Sequence, residues 1–378
     1  MHMRNKAILT LLLAASLLAG CKQGAPVHDS GAEALVLSLR QTVIDGKTLF
    51  GHQDDNVCGV GWRAASGDDF ERSDVFDACG KRPALVEYEL GGIESGDSLN
   101  ICSCSFESIR QAALDHYSRG GVVSFIWSTG NLLTGGDVLD TDPGAVKAVL
   151  KGGSCHAQFM ESLAAVADFL GSLKTPSGEP MPVIWRPYRE HTAAWFWWGQ
   201  DSCTPAEFAE MWRMTYRYLV RERGLKNLLW AYSPNVGVWN MADYLERYPG
   251  DGYVDIVGFD CYEKAERTFE NDAQWYGTLE ESDDLYVTRL VDGLAIIFDV
   301  ARANNKIPAL TECGFVGIKS PHWWQECLYD TIDMFPLAYC VVGRNDADDP
   351  EQFHTPYAGF DGNTDFAKFI GRKKIVML

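Results

Sequence analysis

The sequence has no excess of basic residues to offer a polyanion. Lys and Arg number 33 against 52 Asp and Glu, a formal charge of −19. Phosphate backbones are bound through clustered cations, so the composition argues against a nucleic-acid partner. Internal repeats, low-complexity tracts and a clear interdomain linker are also missing, which argues against a repeat array or a string of tethered modules. No stretch after residue 20 is apolar enough to span a bilayer as a helix. No glycine-rich phosphate loop follows the first strand candidate, so a dinucleotide-binding fold loses support. Core material is not scarce. Hydrophobic residues make up 46% and charged residues 22%, a balance that excludes a mostly disordered chain. Twelve Trp and 15 Tyr serve either as core or as flat platforms for a ligand such as a sugar ring.

The start of the chain reads as an address. Arg4 and Lys6 give a positive opening, and the apolar run from Ala7 to Ala19 is too short for a transmembrane helix but fits a secretory signal. It closes on Leu18-Ala19-Gly20-Cys21, the form of a bacterial lipobox, with Cys21 as the lipidated residue. Residues 1–20 are therefore expected to be a lipoprotein signal peptide, 21–30 a tether, and 31–378 one catalytic domain. The chain is then expected in the bacterial cell envelope, on the membrane by its acyl chains and monomeric. Export permits disulfides. Cys58, Cys79, Cys102, Cys104, Cys155 and Cys203 lie in loop-like sequence and are the better candidates, whereas Cys261, Cys313 and Cys340 sit in apolar runs and read as buried thiols. Cys102-Ser103-Cys104 lacks zinc spacing and a nearby His.

Short β-type runs alternate with amphipathic stretches. The strand candidates are Thr48–His52, Ala84–Tyr88, Val122–Trp127, Pro182–Arg186, Asn227–Tyr232, Val254–Phe259, Pro308–Glu312 and Leu337–Val342. Several are continuously apolar, as parallel strands buried on both faces must be. Helices are expected over Phe106–Ala113, His156–Leu173, Pro205–Glu222 and Asp283–Ala303, with Thr204 capping and Pro205 opening the third. Eight strands with interleaved helices predict an α/β fold of the (β/α)8 TIM-barrel type rather than an open doubly wound sheet.

Chemistry in such barrels sits where strands end. The strand ends carry His52 and Gln53, Glu87 and Glu89, Trp127, Arg186 to Glu190, Asn235, Asp260 and Tyr262, Glu312, and Arg344. Glu190 precedes the block Trp195-Phe196-Trp197-Trp198, which cannot all face one core, and Glu312 lies in apolar surroundings. Two such carboxyls could flank a glycosidic bond, one protonating the leaving oxygen and one attacking or activating water. A separation of about 5–5.5 Å means retention and about 6.5–9.5 Å inversion. Either Glu taken alone is more often an ion-pair partner than a catalyst, and Arg186 reads also as a structural cation.

The run Trp185 to Gly199, with Arg186, Arg189, Glu190, Trp195 and Trp198 in it, resembles glycoside hydrolase family 26, the β-mannanases. Leu49 to Asp55, Val257 to Tyr262, Leu310 to Phe315 and Tyr232 to Asn235 match in order. The resemblance covers roughly residues 31–372. It implies a (β/α)8 barrel that cleaves β-1,4-mannosidic bonds with retention, with Glu190 as acid/base and Glu312 as nucleophile. It implies Tyr262 bonded to the nucleophile, Trp195 as a sugar platform, and His52, Trp127, Arg186, Arg189, Trp198, Asn235, Asp260 and Arg344 lining the site. Neither cofactor nor metal is implied, and the expected partner is mannan, galactomannan or glucomannan. Three positions depart from the family pattern: Arg189 stands where His is usual, Ser128 follows Trp127 where His is usual, and Gly343 ends the eighth strand where Trp is usual. Two alternatives follow from these departures. One is a glycan-binding lipoprotein with weakened catalysis; the other is a family hydrolase acting on another β-linked glucan or xylan.

Overall fold

Period-two alternation along eight strands decides what this fold does. The computed structural model describes residues 25–235, 237, 240–263 and 278–378; the signal stretch and Cys21 lie outside them. The strands are β1 (Thr48–Gln53), β2 (Leu85–Glu89), β3 (Val122–Trp127), β4 (Val183–Pro187), β5 (Leu228–Tyr232), β6 (Ile256–Glu263), β7 (Ile307–Phe315) and β8 (Tyr339–Val342). Each pairs in parallel with the next, and β8 closes on β1 through Leu49 opposite Tyr339 and His52 opposite Val342. The expected (β/α)8 barrel is the observed fold.

Helices α1 (Ser30–Ile44), α2 (Phe106–Ser118), α3 (His156–Ser172), α4 (Pro205–Tyr216), α5 (Leu279–Asn304) and α6 (Asn363–Ile370) surround it, with shorter helical turns between them. The expected Thr204 cap at the start of α4 is present and is one half of a capping box: the Thr204 hydroxyl accepts from the Glu207 amide while the Glu207 carboxyl accepts from Thr204. Past Tyr216 the chain continues as a π-helix over Arg217–Glu222, so the single helix expected over 205–222 is split.

The lower barrel interior is apolar. Leu85, Ile184, Leu229, Ile256 and Ile307 fill it, and Ala32 and Leu39 of α1 plug its floor. The opposite strand faces, with Val86, Tyr88, Phe125, Trp185 and Trp230, pack outward against the helices. The same inward alternation brings Glu87 and Arg186, two residues past Leu85 and Ile184, and Asp260, four past Ile256, to the mouth.

One irregularity matters. Phe259 pairs with Leu310 but Asp260 pairs with Glu312, so Thr311 is an extra residue on β7. That bulge lets both Thr311 and Glu312 turn inward, while Leu310 and Cys313 belong to the outer core. The sixth and seventh strands also outrun their expected ends, which places Tyr262 within β6.

The six loop cysteines expected as disulfide candidates are thiols, as are Cys261, Cys313, Cys327 and Cys340. Loop sequence misleads here because the loops fold inward: Cys58, Cys102, Cys104 and Cys203 are buried. Their sulfurs lie against main-chain carbonyls, Cys58 on Asn345, Cys104 on Val57 and Cys203 on Trp198.

Candidate active site

Arg186 is the hub. Its side chain is fully buried, and its guanidinium meets three carboxylates: Glu87 at 2.6 Å, Asp260 at 2.8 Å and Glu312 at 2.5 Å. Ser233 Oγ accepts a further bond at 3.2 Å. Each carboxylate has a second anchor. Gln53 and Ser124 donate to Glu87, Thr311 donates to Asp260, and the Tyr262 hydroxyl donates to Glu312 Oε1 at 2.7 Å. A buried cation so enclosed costs little only because every donor finds an acceptor.

Glu190 enters from the next turn of chain. Tyr188 and Glu190 both have left-handed backbones, φ of 52° and 54°, conformations that non-glycine residues hold only when the surroundings fix them. The fixing bonds are visible. The Glu190 amide donates to the Ser233 carbonyl, the Trp198 indole to the Arg189 carbonyl, and the Tyr188 hydroxyl bonds to Thr215. The Glu190 carboxyl accepts from Asn235 Nδ2 at 2.8 Å and from the Trp195 indole at 3.1 Å.

Arg189 joins the two glutamates. Its Nη1 is 3.3 Å from Glu190 Oε2 and its Nε is 3.6 Å from Glu312 Oε2. The two carboxyls therefore face each other across one guanidinium. Their environments drive them apart in proton affinity. Burial alone would raise Glu312, but the Arg189 and Arg186 charges and the bonds from Arg186 and Tyr262 outweigh it and hold its pKa down to about 2. Glu190 is pushed above its ordinary range by burial; Arg189 opposes this and the Glu312 charge adds to it. One carboxyl held low and one pushed up in proton affinity is the division of labour that acid/base-assisted displacement needs.

The remaining sequence candidates fall in two groups. Trp195 is 40% exposed while Phe196, Trp197 and Trp198 are buried, so one ring of the block is left at the rim as a flat apolar surface. Tyr262 and Asn235 are half-buried at the mouth, and Arg344 is half-buried, its amide donating to Gln53. His52, Trp127 and Trp198 stand behind the site. His52 is fully enclosed, with Nδ1 bonded to Asp55 and Nε2 to Thr355. The Trp127 indole donates to Glu94 from a ring 1% exposed. Trp198 supports the Arg189 carbonyl from within the core.

The three departures have local causes. Arg189 bridges both glutamates. Ser128 is tied to Glu89 through its amide and its hydroxyl, stapling the ends of β2 and β3. At Gly343 a Cβ would lie 2.5 Å from the Tyr262 hydroxyl, so a side chain there would displace the donor that Glu312 uses. Glu87 and Ser233 stand in the runs read from the sequence without a role of their own, and His354, whose ring packs edge-on to Tyr262 at 5.3 Å, lies outside those runs.

The model of glycosyl hydrolase family 26 matches residues 32–330. A mannan endo-1,4-β-mannosidase of Bifidobacterium adolescentis is 30% identical over 351 residues, 88% of this chain and 33% of that protein. One of Bacillus subtilis is 30% identical over 204 residues, 51% of this chain and 54% of that protein. The chain thus spans a third to about half the length of these relatives. Among solved structures, a family 26 β-mannanase from Bacteroides ovatus superposes with a TM-score of 0.84 at 38% identity, covering 92% of this chain and 94% of that one.

Proposed function

The chain belongs to glycosyl hydrolase family 26, and from that premise we propose that it is a retaining endo-β-1,4-mannanase acting on mannan, galactomannan or glucomannan. The observation that carries this reading is the pair Glu190 and Glu312, bridged by Arg189 and driven apart in proton affinity, Glu312 downward and Glu190 upward. Glu312, ionised, attacks the anomeric carbon. Glu190 gives its proton to the departing glycosidic oxygen, and Tyr262 and Arg186 hold the nucleophile in line. Forming the glycosyl ester removes the negative charge that helps keep Glu190 protonated, so Glu190 then takes a proton from water, which attacks the same carbon and restores the original configuration. Trp195, whose indole already bonds Glu190, offers a stacking face for a sugar beside the cleaved bond.

We read Cys21 as the lipid attachment point that holds the protein in the cell envelope. The first described residues support an orientation for it. Val27 donates to the Tyr216 hydroxyl and His28 pairs with Asp255, at the N-terminal face of the barrel. An anchor joined to the chain at that face, opposite the mouth, would turn the cleft away from the membrane.

Proton NMR of mannopentaose digestion tests the mechanism. The β-anomer of the product should appear first and mutarotate later; first appearance of the α-anomer would mean inversion. Tight binding of mannopentaose with no cleavage would make the protein a glycan-binding barrel. The Arg189 bridge gives a second expectation. In Arg189→Ala, Glu312 loses its leading lowering influence and Glu190 loses one too. The nucleophile must be ionised, so activity is lost below its pKa, and the acid must be protonated, so activity is lost above its own. Both limbs of the kcat/KM profile should move to higher pH; profiles on a soluble oligosaccharide, wild type against variant, check this.

A further inference from the structure

Three metal-ligating side chains meet outside the catalytic mouth, on three different elements. Glu263 closes β6, Asp283 lies in the second turn of α5, and Cys327 lies on the helical turn Trp323–Tyr329. One donor atom of each is within 4.8 Å of the other two. Glu263 and Cys327 are each 3% exposed. Each carboxylate has one oxygen tied to a serine: Ser282 Oγ donates to Glu263 Oε1 at 2.7 Å, and Ser320 Oγ to Asp283 Oδ2 at 2.8 Å. The other two oxygens, Glu263 Oε2 and Asp283 Oδ1, are buried and meet no donor at full hydrogen-bond geometry, with the Trp323 indole near Glu263 and the two carboxyls facing each other. Buried carboxylate oxygens are rarely left so, because each forfeits its hydration.

We propose that Glu263, Asp283 and Cys327 form a structural site for a borderline-soft divalent cation of the zinc class, separate from the hydrolytic chemistry. The donor set selects the ion. Magnesium and calcium take all-oxygen shells, whereas a thiolate with two carboxylates suits zinc, with water completing a tetrahedron. The serine bonds orient the carboxylates as second partners of metal ligands do. A divalent ion between the two carboxylates would take their second oxygens and the Cys327 thiolate as ligands. The bound ion fastens the helices that follow β6 and β7 to the end of the strand that carries Tyr262.

The competing account is that Glu263 and Asp283 share one proton and bind nothing. The full chain, stripped with chelator, is titrated with Zn²⁺ and separately with Co²⁺. The expected results are one equivalent of Zn²⁺ bound, a rise in Tm at saturation, and a thiolate-to-Co²⁺ charge-transfer band. Cys327→Ser should abolish the band, and Asp283→Asn should weaken Zn²⁺ binding by at least about tenfold. If Cys327→Ser does not fold, Asp283→Asn and Glu263→Gln carry the test through the Zn²⁺ affinity. No stoichiometric uptake, or uptake of equal affinity in Asp283→Asn and Glu263→Gln, would overturn the site and leave the shared proton as its explanation.

Discussion

Glu312→Ala is expected to lower kcat on mannan by about 10⁴-fold or more, since the displacement then has no attacking group and only substrate positioning and Glu190 remain. The variant should still fold, because Arg186 keeps Glu87 and Asp260 as partners. Its far-UV spectrum and Tm separate lost chemistry from lost structure. The vacated space also assigns the role. Azide entering it attacks the face that Glu312 used and yields the α-mannosyl azide, of inverted configuration, from a substrate with a good leaving group. Glu190→Ala behaves differently on the same substrate. A departing aryloxide needs no proton, so the glycosyl ester forms and accumulates, and azide intercepts it as the β-mannosyl azide. Full hydrolytic rate in Glu312→Ala, or one azide product from both variants, would reject the assignment of the two carboxyls.

Most of the barrel was legible because its strands are buried on both faces. Leu228–Tyr232 is apolar without a break and Val122–Trp127 is broken only by Ser124, and the stretches between strands hold the helical spacing. The charged residues at the mouth were legible for the same reason: Glu87, Arg186, Asp260 and Glu312 interrupt apolar runs at their C-terminal ends. What was read less well is which way each rim residue points. Strand parity carried that signal. On β1, Phe50 belongs to the outer core and Gln53 reaches Glu87 inside, so His52, of Phe50's parity, had to face outward. On β3, Ser124 bonds Glu87 inside the barrel while Val123 and Phe125 pack outside, which puts Trp127 outside as well. Parity fails where the register shifts. The extra Thr311 on β7 leaves no trace in composition, and it alone allows Glu312 to share the interior with Thr311. Trp198 lies in a turn rather than a strand, so no period could tell its buried ring from the exposed one of Trp195.

The largest effect on stability is expected from Arg186→Met. The side chain is similar in volume, so packing is nearly kept, but the cation that Glu87, Asp260 and Glu312 share is removed. Breaking a buried ion cluster from one side leaves uncompensated charge, with a cost of about 3–5 kcal/mol. The sign of the pH dependence distinguishes this from a cavity effect. Burial already raises Asp260 well above its ordinary range, with Arg186 as the leading opposition; without that cation its folded pKa rises further, and Glu312 rises from about 2. A carboxyl whose folded pKa exceeds its unfolded value gives stability at low pH that is lost as pH climbs through the folded pKa. The variant's deficit in Tm should therefore be greatest near neutral pH and shrink as the solution is acidified, as the clustered carboxyls take up protons. A deficit of the same size at every pH would mean that Arg186 acts through its volume. The same variant should lose hydrolysis even where it is folded, because Glu312, no longer held by two cations, must be ionised to attack.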